Sequence, residues 1–117
     1  MVDFQLTEEQ MMIRDMAREF SEEEVLPHAE EWDREGTYPR DAITKAHELG
    51  LLNVTIPEKY GGAGMSTVDE MVICEELSRG DPGFGTASYH TMLASFPILT
   101  GGTEEQKEEY LGRVTEG

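Results

Sequence analysis

Apolar residues recur at three- and four-residue steps through Met12, Ile13, Met16, Ala17 and Phe20, with Arg14, Asp15, Arg18 and Glu19 between them. That spacing predicts an amphipathic helix whose first set faces a core and whose second set faces water. Its start is marked three ways: Thr7 and Gln10 form a capping box, Leu6 and Met11 have the spacing of a hydrophobic staple, and Glu8 and Glu9 suit a helix N-terminus. Pro27 removes a backbone donor and disfavours helix at Leu26, so a kink or break is expected there. Helical character is expected to resume to Trp32 and end before Gly36.

The same reading gives the remaining elements. A second helix starts after Pro39 and stops at Gly50, turning Ile43, Ala46 and Leu49 inward, and Leu51 and Leu52 follow it into the core. Residues 57–66 carry too many breakers for a regular element and read as a glycine-rich loop. Ser66 and Asp69 resemble another capping box, opening a third helix with Val68, Met71, Val72 and Leu77 apolar and a stop at Gly80; Ile73 and Cys74 widen its stripe. Asp81 and Pro82 pair as cap and first turn of a long helix from Gly83 to Leu99, expected to be the most buried and to bend near Pro97. Gly101 and Gly102 end it, and Thr103 with Gln106 caps a last helix with Tyr110, Leu111 and Val114 on its apolar face. No period-two alternation marks a strand, so the chain reads as one all-α domain over residues 1–117, an antiparallel-type bundle of about five helices.

Length agrees with this, because 117 residues suffice for one ordinary core. Charge adds more. Lys and Arg total 9 against 25 for Asp and Glu, a formal net charge of -16, and no basic stripe exists to neutralise phosphates, which argues against nucleic acid and anionic membranes as partners. So acidic a surface repels itself at low salt, and with lysine confined to Lys45, Lys59 and Lys107 a salt-adapted host is an expectation beside that of an ordinary acidic protein. No apolar run approaches a membrane span and Met1 to Thr7 lacks a signal-peptide layout, so a soluble, cytoplasmic protein is expected. Cys74 has no cysteine partner and reads as a small buried hydrophobe.

Candidate chemistry is thin. The Gly61-Gly62-Ala63-Gly64 cluster lacks the Lys-Ser/Thr of a phosphate loop and reads as a turn. The carboxylates of Glu22, Glu23 and Glu24, and of Glu104, Glu105, Glu108 and Glu109, fall on faces expected to be solvated, and no carboxylate shows a reason for a raised pKa. His28, His47 and His90 have no partner at metal-ligand spacing, although His90 stands out within an otherwise neutral helix. Trp32 and Tyr38 read as core or subdomain contacts.

Several segments together resemble the N-terminal domain of the acyl-CoA dehydrogenase family. They are Leu6-Thr7-Glu8-Glu9-Gln10, Glu48-Leu49-Gly50-Leu51-Leu52, Ile56 through Gly64, Glu75-Glu76-Leu77-Ser78, Asp81-Pro82, and Gly102 through Lys107 with Tyr110-Leu111. Their order and spacing match over nearly the whole chain.

The resemblance implies a helical domain followed, in the family, by a β-sheet domain and a second helical domain, in a homotetramer with FAD, and the chain would stop where the β-domain begins. It implies α,β-dehydrogenation of an acyl-CoA thioester, with electrons passed to an electron-transfer flavoprotein. The family's catalytic glutamate lies in the C-terminal domain, so no catalytic residue is assigned here. By position, Gly85, Thr86, Tyr89 and Leu93 line a wall of the acyl-chain pocket, with His90 the one group on that helix that can carry charge near neutral pH. The i, i+4, i+8 spacing of Gly85, Tyr89 and Leu93 agrees independently by placing them on one helical side, with ordinary helix packing as the alternative. Bulky Tyr89 predicts a short or branched acyl group, and the lack of Arg or Lys between Asp81 and Gly102 disfavours dicarboxylyl chains. A flavin acyl-CoA oxidase or monooxygenase of the same architecture, and a stand-alone helical interaction module, remain the alternatives.

Overall fold

The computed structural model describes residues 2–117; Met1, the first residue of the amino-terminal stretch read above, lies outside them. Six α-helices follow one another: α1 (Glu8–Phe20), α2 (Ala29–Glu35), α3 (Arg40–Glu48), α4 (Thr67–Gly80), α5 (Pro82–Gly101) and α6 (Glu104–Glu116). No strand occurs among the described residues. The five amphipathic elements of the sequence are all present, and α2 is the short resumption expected after Pro27. The principal extents are 42 × 42 × 20 Å, a slab about two helix diameters thick.

The boundaries follow local chemistry. Capping boxes open α1 (Thr7, Gln10), α4 (Ser66, Asp69) and α6 (Thr103, Gln106), and the Asp81 side chain accepts from the Phe84 amide to open α5. Pro27 does not cut the chain. Beyond α1 the backbone widens into a π-helical turn over Ser21–Val25 and tightens into a 3-10 turn over Leu26–His28 before α2 begins, so the missing proline donor is absorbed by a change of pitch. Gly36, with φ of 64°, ends α2.

Within the expected loop, Glu58–Tyr60 makes one 3-10 turn. This loop is glycine-rich for a packing reason: a Cβ on Gly62 would lie 1.9 Å from the Ile56 carbonyl oxygen.

One cluster of buried residues joins Ala17, Phe20 and Val25 to Ala46, Leu51, Val54, Ile73, Leu77 and Phe84, with α4 packed on both α1 and α5. Trp32 and Phe84 stack at 5.9 Å between ring centroids and seal one end. A smaller cluster of Ile56, Tyr60, Met92 and Leu111 holds α6 and the loop against α5.

Several expectations about facing need correction. Met12, at 71% exposure, and Met16 lie on the outside, leaving Ile13, Ala17 and Phe20 as the core stripe of α1. Leu49, Val68, Met71 and Tyr110 are also exposed, and the inner face of α4 carries Glu70, Ile73, Glu76 and Leu77. Tyr38 is exposed with the Arg40 guanidinium 5.8 Å over its ring, so it does not belong to the core. Cys74 is half-buried, 3.9 Å from the Ser78 hydroxyl. The long helix α5 runs through Pro97 to Gly101, and it is two-sided: Phe84, Gly85, Ser88, Met92 and Ser95 are buried while Leu93 and Phe96 are exposed.

Candidate functional site

Small and hydroxylated residues let α5 approach its neighbours. A Cβ on Gly85 would fall 2.0 Å from the Ser78 hydroxyl and 2.9 Å from its Cα, so α4 and α5 touch there as closely as glycine allows. The buried hydroxyls are satisfied inside the helix: Ser88 donates to the Phe84 carbonyl at 2.8 Å and Ser95 to that of Thr91 at 2.7 Å. Thr91 instead donates its hydroxyl to Asn53 Oδ1 at 2.6 Å, and the Asn53 amide donates to the Val114 carbonyl at 3.4 Å, tying the segment before the loop to α5 and α6. Asn53 has φ of 56°, a left-handed conformation that asparagine tolerates better than most residues.

Beside this close packing α5 leaves a cleft of about 670 Å³. Tyr89, Met92, Leu93 and Phe96 form its α5 wall, and Thr55, Met65 and Glu70 face them. Leu93 and Phe96 are 61% and 62% exposed, so the wall is apolar and open. A small neighbouring pocket of about 20 Å³ has Gly85, Ser88 and Leu77 on its lining. Tyr89 and Glu70 line both spaces.

The structure therefore divides the residues expected from sequence. Tyr89 and Leu93 share the cleft. Gly85 is buried against Ser78 and borders the small pocket. Thr86 is exposed and donates to the Pro82 carbonyl at 3.0 Å; His90 is exposed with Nδ1 against the Ala87 carbonyl, and neither lines the cleft. The reason is geometric: eight residues turn a helix by roughly 80° beyond two full rotations, so an i, i+4, i+8 row drifts from the α4 side out to the open wall. Met92 and Phe96 were missed although the stripe 89, 92, 93, 96 was visible as a helical repeat. Thr55, Met65 and Glu70 had no such signal, because they reach the cleft from other elements.

Two carboxylates that the sequence did not single out are buried, and one of them, Glu70, corrects the expectation that no carboxylate has a reason for a raised pKa. Glu76 is buried and takes a two-pronged bond from Arg18, at 2.6 and 3.0 Å; this bond holds its carboxyl below the usual carboxylate range against the opposing effect of burial. Glu70, only 8% exposed, pairs with no cation among the described residues, and burial pushes its carboxyl up while a 3.4 Å hydrogen bond from the Thr55 hydroxyl opposes the rise.

A sequence model of the acyl-CoA dehydrogenase N-terminal domain matches residues 7–117. The chain belongs to this family. It is 43% identical, over 97% of its length and 28% of the relative's, to a probable mitochondrial medium-chain specific acyl-CoA dehydrogenase 2 of Caenorhabditis briggsae. The solved butyryl-CoA dehydrogenase of Megasphaera elsdenii superposes with a TM-score of 0.87 at 33% identity, over 98% of this chain and 31% of that one. A glutaryl-coenzyme A dehydrogenase in complex with glutaryl-CoA gives 0.90 at 32% identity, over 97% and 30%. The chain thus spans less than a third of the length of each of these acyl-CoA dehydrogenases.

Groups that could hold the diphosphate of a dinucleotide are few among the described residues. A diphosphate needs cations or open helix N-termini. Arg14, Arg18, Arg34, Lys45, Lys59, Arg79, Lys107 and Arg113 are ion-paired with carboxylates and Arg40 sits over Tyr38. The N-termini of α1, α4, α5 and α6 are closed by their own caps, whereas those of α2 and α3 carry no side-chain cap. No group of three potential metal ligands occurs among the described residues, and no helix of theirs is long and apolar enough to cross a membrane.

Proposed function

We propose that this chain is the acyl-chain-binding domain of a flavin-dependent acyl-CoA dehydrogenase that introduces an α,β double bond into an acyl-CoA thioester. FAD as cofactor, an electron-transfer flavoprotein as acceptor and a homotetrameric assembly complete the reading; the chain's own part is to bind and orient the acyl chain. The single observation that carries it is the cleft, whose apolar wall of Tyr89, Met92, Leu93 and Phe96 is left uncovered by the rest of the chain. Exposing large side chains together costs solubility unless something apolar covers them, and an alkyl chain fits that description.

The acyl group is short or branched. Tyr89 places a bulky ring on the cleft wall, and the small neighbouring pocket it also lines, about 20 Å³, adds no room for further methylenes. The test is to purify the protein from the intact reading frame and record its visible spectrum before and after adding a panel of acyl-CoAs. Bleaching of an oxidised flavin by short or branched acyl-CoA is the expected result. A spectrum without flavin, or a flavin that no acyl-CoA alters, would overturn the reading, and efficiency still rising with chain length beyond about eight carbons would overturn the size preference.

A further inference from the structure

The carboxyl of Glu70 is the one charged group in an otherwise apolar or neutral cleft lining. It sits in the first turn of α4, 8% exposed, and takes part in none of the ion pairs among the described residues. Oε1 accepts from the Thr55 hydroxyl at 3.4 Å, and that hydroxyl also lies 3.3 Å from the Met92 sulfur. Oε2 has no hydrogen-bond partner among the described residues, yet no fully buried side-chain oxygen among them is left without one. Oε2 is therefore reachable, and the openings that Glu70 lines are the cleft and the small neighbouring pocket.

An acceptor held at that depth in apolar surroundings has two consequences. A hydroxyl on a bound acyl chain can donate to it, whereas a plain alkyl chain leaves it without a partner and bears the desolvation cost. A chain ending in carboxylate would bring a second negative charge to a wall with no cation to balance it.

We propose that Glu70 is a specificity-determining residue of the acyl cleft, accepting a hydrogen bond from a hydroxyl on the acyl chain and turning away chains that end in carboxylate. This rests on the acyl-pocket reading above, and it predicts a substrate class that an apolar cleft would not select.

The test compares kcat/KM of the intact flavoprotein for three thioesters of matched length: a plain acyl-CoA, one hydroxylated on the distal half of the chain, and one ending in carboxylate. Unmodified protein prefers the hydroxylated chain to the plain one, and E70A reduces that ratio on the order of ten-fold while raising the relative use of the carboxylate chain. E70Q retains an acceptor and keeps most of the hydroxyl preference, but it loses the discrimination against carboxylate. A general weakening of the fold scales all three substrates together and leaves the ratios alone; ratios unchanged in both variants overturn the role of Glu70 while acyl-CoA turnover stands. Failure of the unmodified protein to bind or turn over any of the three overturns the acyl-pocket reading itself, and the proposal with it.

Discussion

Arg18 of α1 and Glu76 of α4 meet through two parallel hydrogen bonds, Nη2 to Oε1 at 2.6 Å and Nε to Oε2 at 3.0 Å. The carboxylate is buried and the guanidinium keeps one side in water, so the pair locks α1 to α4 with its negative end desolvated.

Because the folded pKa of Glu76 lies below its unfolded value, the bond contributes stability above about pH 4.3, the ordinary glutamate value, and loses it as pH falls through the lower folded value. E76Q should cost about 1–2 kcal/mol at neutral pH. Thermal melts between neutral pH and pH 3 should show the gap to the unmodified protein closing across that window; a constant gap would mean the charge is not what holds the helices.

Glu70 has the opposite sign. Its folded pKa is raised, so the ionised group costs stability above that value, and this cost disappears as pH falls through the folded value toward the unfolded one. E70Q should therefore melt higher than the unmodified protein at pH 7 and equally at pH 3. An equal melting temperature at both pH values would remove the burial cost assigned to this carboxyl.

Gly85 meets Ser78 with no slack. G85A adds the helix preference of alanine, worth about 1 kcal/mol, but forces its methyl onto the Ser78 hydroxyl and main chain. The net expectation is a loss of about 1–3 kcal/mol in denaturant unfolding. Adding S78G should recover only part of it, since the new methyl still lies 2.9 Å from the backbone of residue 78.

Asn53 combines a left-handed backbone with bonds to Thr91 and Val114. N53A loses both bonds and places alanine where φ is positive, so unfolding free energy should fall by about 2–3 kcal/mol. N53G, which relieves only the backbone, should fall less. Equal losses in the two variants would show that the hydrogen bonds alone account for the effect.

Leu93 and Phe96 contribute little to the fold because they face outward. L93S and F96S should each leave stability within about 0.5 kcal/mol of the unmodified chain. In the intact flavoprotein the same substitutions should weaken acyl-CoA binding several-fold, read by spectral titration, since each removes apolar surface from the cleft wall. Unchanged affinity in both would place the acyl chain elsewhere.

Local signals carried the elements in the sequence itself. Thr7, Ser66, Asp81 and Thr103 mark helix starts because a cap bonds amides two or three residues away, and Gly36 marks an end because its backbone conformation is a property of one residue. The ordered motifs that resemble the family were legible along the chain too, whereas the cleft wall was read there only at Tyr89 and Leu93. What the sequence could not rank was which apolar residues go inside. Met12, Met71 and Leu93 are as hydrophobic as their buried neighbours, and only the positions of the other helices decide that they stay out. The two buried glutamates were hidden likewise: Glu76 goes in because Arg18, 58 residues away, meets it, and Glu70 borders a cleft because Thr55, Met65 and α5 arrive from three separate segments. Capping and periodicity act over a few residues and can be read along a line, whereas burial and cavity shape arise from surfaces that meet only once the chain has folded.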